Sequence, residues 1–318
     1  MALNFINILY GYTLIYDMYQ YLNYYNILQL SHTCNIIRKD IIANLIIHFV
    51  LNQNFSLKYC NDESVKKTIE AIGYVHTIDL SFTEVCDVSS IGHVHTIYLN
   101  YTEISDVSAL RYVQNLYLVS TSILDVSFLR NVHTLDLSFT KIYDVSSLGN
   151  VHTLNLSYTN VYDVSHLINV YSLNLSGCIY ISDVSALKNV HTLNLSNTHI
   201  SDVSALKNVH TLNLSNCTNI SDFSALKNIH TLDLSFTQIS NVSDLGNVHT
   251  LILSYTKVLY VYALKNLHTL DLSYTNVRDV SALGNLHTLN LYNTRVQDIS
   301  ALNKVYNLKF NKKIRVLL

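Results

Sequence analysis

The sequence of 318 residues has no proline, no tryptophan, 7 glycines and 5 cysteines, and Asp, Glu, Lys and Arg together make up only 13% of it. Ordinary soluble domains carry roughly 25% charged residues. Each shortage excludes something. Without proline and with little glycine, the chain is not collagen-like, not a Pro-rich linker and not a loop-rich irregular enzyme. A formal net charge of −2 offers no basic footprint for nucleic acid, and so few charges argue against disorder. The cysteines (Cys34, Cys60, Cys86, Cys178, Cys217) are odd in number and scattered, with no CxxC pair. They indicate neither a disulfide framework nor a zinc site, and a reduced, cytoplasmic setting is expected. The longest apolar run, residues 41–51, has 11 residues and contains Asn44 and His48, too short for the ~20 a spanning helix needs. Residues 2–16 lack Lys and Arg and make a poor signal peptide. In a secreted chain, the Asn-Leu-Ser triplets at Asn155, Asn174, Asn194 and Asn213 would invite glycans. GxxxxGK[ST], GxGxxG and HExxH are all missing.

What is abundant is repetition. VHTIDLSFTEVCDVSSIGH begins at 75, VHTLDLSFTKIYDVSSLGN at 132, VHTLNLSNTHISDVSALKN at 190 and LHTLDLSYTNVRDVSALGN at 267. Twelve units start at 75, 94, 113, 132, 151, 170, 190, 209, 229, 248, 267 and 286; those at 170 and 209 have 20 residues, the others 19, and a truncated unit follows from Val305. A period near 20 with apolar residues at fixed offsets is the mark of a solenoid. Apolar residues sit at unit positions 1, 4, 6, 11, 14 and 17. The alternation around positions 4 and 6 predicts a half-buried strand. Asp at position 13, ahead of Val-Ser-Ala-Leu, predicts a cap for a short 3₁₀ or helical turn. Nineteen residues leave no room for a full helix on the outer side.

The pattern LxxLxLxxTxI resembles leucine-rich repeats over about three quarters of the chain. The resemblance implies an α/β solenoid with a parallel sheet on its concave face and short turns on its convex face. The family usually carries Asn at position 9. Here ten units carry Thr, as at Thr140 and Thr256, and the two longer units carry Cys178 and Cys217, which look like the cysteine-containing repeats common in F-box proteins. The thirteen strands are expected to span roughly 58 Å at ~4.8 Å per strand.

The first 74 residues lack the repeat and read as helical, with apolar three- and four-residue spacing over 14–22 and 26–50. Residues 61–73 read as a joining helix, with Asn61 or Asp62 as N-cap and Gly73 as stop. Residues 10–38 resemble an F-box. Leu14 and Ile15 stand in its first helix; Met18, Tyr19, Tyr21 and Leu22 match its Ile-Phe-x-Tyr-Leu stretch; Asn26, Ile27, Leu28 and Leu30 match Asp-Leu-Leu-x-Leu; Cys34 and Arg38 fall in its closing helix. Tyr10-Gly11 replaces the usual Leu-Pro, and Ile37 the usual Trp. The resemblance implies docking to the adaptor of a cullin–RING ubiquitin ligase through Tyr10, Leu14, Ile15, Met18, Leu22, Ile27 and Leu30. A plain apolar cap over the open solenoid end is the alternative. The expected organisation is an F-box-like segment at 1–54, a linker and capping helix at 55–74 and the solenoid at 75–318.

Ser, His and Asp recur at repeating addresses, and near-identical units do not make one triad, so no catalytic residue and no cofactor are expected. His fills position 2 in ten units, from His76 to His287. Such a ladder is more simply a strand-edge ladder than a metal site, although metal binding remains a minor alternative. Binding is expected on the concave face. Its candidate residues are Asp136 and the amide row Asn155, Asn174, Asn194 and Asn213 at position 5, with the apolar departures Tyr98, Tyr117, Val119 and Ile252. A second candidate contact is the rim where Gly177, Asn197 and Asn216 interrupt the aromatics of position 8. The expected function is a non-enzymatic, monomeric protein-interaction module that holds a protein substrate for the ligase, touching neither nucleic acid nor membrane. A stand-alone repeat scaffold is the alternative. Heavy use of Ile, Asn and Tyr points to an AT-rich genome such as that of a large DNA virus.

Overall fold

A computed structural model of the chain describes residues 48–72 and 74–311. The expected F-box-like residues Tyr10, Leu14, Ile15, Met18, Leu22, Ile27 and Leu30 lie outside the described part. Strand β1 (His48–Leu51) leads into helices α1 (Gln53–Asn61) and α2 (Glu63–Ile72) and then β2 (Tyr74–Asp79). From there every unit contributes one three-residue strand, from β3 (Thr96–Tyr98) to β14 (Asn307–Lys309). All are parallel and ordered as in the sequence, giving a 14-stranded sheet. Register follows the repeat: position 4 faces position 4, as in Leu193↔Leu212.

Two N-terminal expectations change. Residues 48–50 were expected to end a helix, but the β-branched and aromatic run HFVL forms β1 and pairs in parallel with β2 across a bulge. The free edge of β2 offers unpaired backbone groups that a helix could not satisfy. The sheet therefore has one more strand than the repeat count. The joining region is two helices rather than one. Asn52 caps α1 by accepting from the Phe55 N–H, and Asp62 caps α2 by accepting from the Ser64 and Val65 N–H groups, as expected for Asp62.

The interior is formed by the six apolar positions foreseen from the sequence. In the unit from Val94 these are Val94, Ile97, Leu99, Ile104, Val107 and Leu110, all essentially inaccessible, and the same six recur along the solenoid. On the outer side, Ser-Ala-Leu makes one 3₁₀ turn per unit in most units, as at Ser185–Leu187. The Asp of position 13 accepts a hydrogen bond from the backbone N–H two residues on, 2.8 Å for Asp106 to Ser108. It thus bridges the entry to the turn from one residue earlier than a formal N-cap. Those backbone bonds hold the carboxyls of Asp106, Asp183 and Asp202 below the usual carboxylate range.

The corner after the strand answers how the fold manages without the Asn of position 9. Each buried Thr donates its hydroxyl to the position 6 carbonyl of its own unit, 2.7 Å for Thr102 to Leu99 and 2.6 Å for Thr198 to Leu195. In the two 20-residue units the thiol instead reaches back to the preceding unit, where Cys178 donates to the Leu156 carbonyl and Cys217 to that of Leu195, both at 3.0 Å. Burial pushes both thiols up in pKa.

Position 8 holds a surprise of backbone chemistry. In all twelve units it is left-handed, from φ 55° at Asn293 to φ 71° at Gly177. That conformation suits Gly and Asn but costs other residues on the order of 1–2 kcal/mol. Seven of these positions nevertheless carry Phe or Tyr: Phe82, Tyr101, Phe139, Tyr158, Phe236, Tyr255 and Tyr274.

Candidate functional site

The concave face consists of parallel columns of side chains, because identical positions stack one strand apart. Position 2 forms an imidazole column at one edge. It runs unbroken through ten rings, His133, His152, Tyr171, His191, His210, His230, His249, His268, His287 and Tyr306, with centroids 4.5–5.0 Å apart. Most of the histidines meet the neighbouring position 3 Thr hydroxyl through Nδ1, 3.2 Å for His249 and Thr250. Rings stacked face to face aim their nitrogens in parallel rather than at one point. Among the described residues no group of three His, Cys, Asp or Glu is arranged to hold a metal ion.

The position 5 column is tied into the backbone. Asn174, Asn194 and Asn213 each accept, through Oδ1, the N–H of the Ser two residues on, at 3.0, 3.0 and 2.8 Å. Asn155 does the same, and its Nδ2 donates to Asp136 Oδ2 at 2.9 Å. Asp136 also accepts from the Ser138 N–H and hydroxyl. These expected contact residues thus hold the strand exit through their oxygens. At the aromatic rim, the second candidate contact has internal partners of its own. Asn216 donates to Asn197 at 2.9 Å, and a Cβ on Gly177 would lie 2.5 Å from the Tyr158 ring, which covers that position.

The apolar departures behave differently. The structure brings Tyr98, Tyr117 and Val119 together on adjacent strands, with the two tyrosine rings stacked at 4.5 Å. With Tyr117 at position 5 there is no Asp or Asn Oδ1 at that position, and the Val119 N–H donates instead to Asn100 Oδ1 of the unit before, at 3.0 Å. Burial, then Tyr98 and the Asp136 carboxylate, raise the pKa of the Tyr117 hydroxyl. Ile252 stands by itself between Asp233 and Asp271 of the two adjacent strands, far along the sheet.

Sequence reasoning missed that the same unit breaks every column at once. Gln114 interrupts the imidazoles between the stacked pairs His76–His95 and His133–His152, and Ser120 interrupts the aromatic rim between Phe82–Tyr101 and Phe139–Tyr158. The signal was present in the unit beginning VQNLYLVS, which departs from VHTLDLSF at positions 2, 3, 5, 7 and 8. At the far end, an open cavity of about 550 Å³ places Lys309 beside Tyr274 and Tyr292.

The imidazole column has a consequence for stability. Burial, then the neighbouring His230 and His268, lower the pKa of His249 below the ordinary imidazole value. A folded pKa below the unfolded one means that the unfolded chain binds the proton more readily, so stability present above pH ~6.5 is lost as pH falls below it. The depressed Asp carboxyls act the same way only below pH ~4. The melting temperature should therefore fall between pH 7.5 and pH 5, ahead of any carboxylate effect. Thermal melts in buffers of equal ionic strength test this, and a constant melting temperature across that interval would refute it.

Fold and face together define a solenoid of the leucine-rich-repeat kind with a continuous parallel sheet. Residues 188–228 and 265–304 match the family model described as Leucine Rich repeats (2 copies). No curated protein matches the sequence. Among solved structures, an internalin of Listeria monocytogenes matches at 21% identity and TM-score 0.64, covering 82% of this chain and 95% of that one. A leucine-rich-repeat protein of Leptospira interrogans matches at 21% identity and TM-score 0.58, covering 78% and 76%. The functional domain of InlJ from Listeria monocytogenes, which includes a cysteine ladder, matches at 20% identity and TM-score 0.52, covering 74% and 63%. At these identities the likeness establishes the fold. Among the described residues, no helix is long and apolar enough to cross a membrane.

Proposed function

We propose that the chain is a protein-binding subunit whose concave face grips its partner at the Tyr98–Tyr117 rung, while residues 10–38 dock the adaptor of a cullin–RING ubiquitin ligase. The observation that carries the binding reading is the convergence of repeat breaks on one unit. Elsewhere the face is a lattice of side chains bonded to one another and to the backbone. Here two stacked tyrosines and a valine, partly buried, present rings and a branched side chain in place of the usual Asp, Asn and Ser, the kind of apolar and aromatic centre around which interface energy concentrates. The chain would perform no chemistry, acting instead by raising the local concentration of its partner beside the ligase.

The ligase part rests on the F-box resemblance of residues 10–38. At the N-terminal end of the sheet β1 pairs with β2, and Tyr59 of α1 is buried there with its hydroxyl donating to Glu70 at 2.6 Å. Co-purification of the full chain with the recombinant adaptor tests the reading. A stable complex that is lost on Leu14→Asp, Met18→Asp or Leu22→Asp is expected. A folded chain that never retains the adaptor would leave the stand-alone scaffold.

A further inference from the structure

The gap at Ser120 has a definite shape. Along the aromatic rim, neighbouring rings stack at 4.7 Å for Phe82–Tyr101 and 4.8 Å for Phe139–Tyr158. Tyr101 and Phe139 belong to units on either side of Ser120, so their ring planes stand two strand spacings apart, roughly 9–10 Å. That separation leaves room for one planar group between two aromatic faces. Both walls are about half exposed, 52% for Tyr101 and 54% for Phe139. The other interruption of this rim, from Gly177 to Asn216, is three units wide and filled by Tyr158 and the Asn197–Asn216 pair. Ser120 leaves a slot one ring thick.

Charge narrows the occupant. The position 5 column carries Asp79 and Asp136 on either side of the tyrosine pair, and farther along Asp233 and Asp271. Among the described residues of the five concave columns, the one Lys or Arg is Lys309, in the last unit. A nucleic acid would meet carboxylates here, not cations. A guanidinium is planar, stacks between aromatic faces and carries the charge this surface lacks, whereas an ammonium is compact and has no face to stack.

We propose that the slot formed by Tyr101, Ser120 and Phe139 receives an arginine side chain from a basic segment of the protein partner. The inference rests on the concave-face reading above and adds the partner's chemistry to it.

The experiment titrates the full chain with four 15-residue Gly/Ser peptides that differ only at a central Arg, Lys, citrulline or Phe, followed by isothermal titration calorimetry. The Arg peptide should bind about tenfold more tightly than the Lys and citrulline peptides. Two variants probe the slot without threatening the fold. Ser120→Tyr fills it with the residue most common at this left-handed position, and Tyr101→Asn removes a wall using a residue that Asn197 and Asn216 already place there. Each should reduce Arg-peptide affinity about tenfold, with circular dichroism unchanged. Equal affinity for all four peptides, or Arg binding indifferent to Ser120→Tyr, would overturn the proposal. Preference for the Phe peptide, lost on Ser120→Tyr, would also overturn the arginine assignment while leaving the concave-face reading standing. That reading fails separately if Tyr98→Ala and Tyr117→Ala leave capture of the natural partner unchanged.

Discussion

Replacing Leu193 with alanine should lower stability by about 3–4 kcal/mol and split a single unfolding transition into two. Leu193 sits at position 4 of a central unit, 1% exposed, in register with Leu173 on one side and Leu212 on the other. Truncating it forfeits the transfer energy of the side chain and leaves a cavity that the rigid parallel sheet cannot collapse to fill. In a compact domain that loss would spread over the whole core. Here each unit touches only its neighbours, so the loss falls on two interfaces in the middle of the stack. The halves before and after it should then unfold at separate urea concentrations. The same truncation at Leu308, in the half-buried last unit, should cost much less and leave one transition. Urea titrations followed by far-UV circular dichroism would distinguish the cases. A single transition for Leu193→Ala, displaced by less than 1 kcal/mol, would show that cooperativity is not nearest-neighbour.

The core was legible because its cause is periodic. Positions 1, 4, 6, 11, 14 and 17 are apolar in the sequence and buried in the structure, since a repeat leaves one way to wind each unit. The Asp-Val-Ser turn was legible for the same reason. Strand β1 was hidden because residues 41–51 are apolar except for Asn44 and His48, and such a run reads equally as a helix or as a buried strand. Only the unpaired edge of β2, a tertiary feature, decides between them. The left-handed corner at position 8 was hidden by the residues that occupy it. Seven aromatics argue against φ near 58°, and the contrary signal lay in the exceptions: Gly177, Asn197, Asn216 and Asn293 are the residues such a corner prefers. The stacked rings help offset that strain, because neighbours 4.2–4.8 Å apart share their faces.

Of the candidate site, the Tyr98, Tyr117 and Val119 cluster could be read directly, since three apolar residues break a polar pattern. The amide row was legible as a polar column, while the bond from each oxygen to the N–H of the Ser two residues on is a feature of the folded strand. The low charge content has the same origin. Columns of identical side chains one strand apart tolerate Thr, Ser, Asn and neutral His, while like charges directly opposite repel. The exposed Asp residues of position 13 are accommodated because each accepts a backbone N–H of its own unit.

The corner hydroxyls give the second large effect. Thr140 is 3% exposed and donates to the Leu137 carbonyl at 2.6 Å, while the Thr140 N–H reaches the same oxygen only at 3.3 Å. Thr140→Val keeps the shape and deletes the donor, leaving a buried carbonyl with one long bond, at a cost of about 1–3 kcal/mol. Thr140→Ser keeps the donor and deletes a methyl, which should cost about 1 kcal/mol or less. Valine more harmful than serine is the opposite of what burial of apolar area alone dictates, so the order of the two variants isolates the hydrogen bond. Urea midpoints at constant slope would measure it. If valine proved equal to or better than serine, the corner would be held by packing, and the Thr found in ten units where the family usually carries Asn would need another explanation.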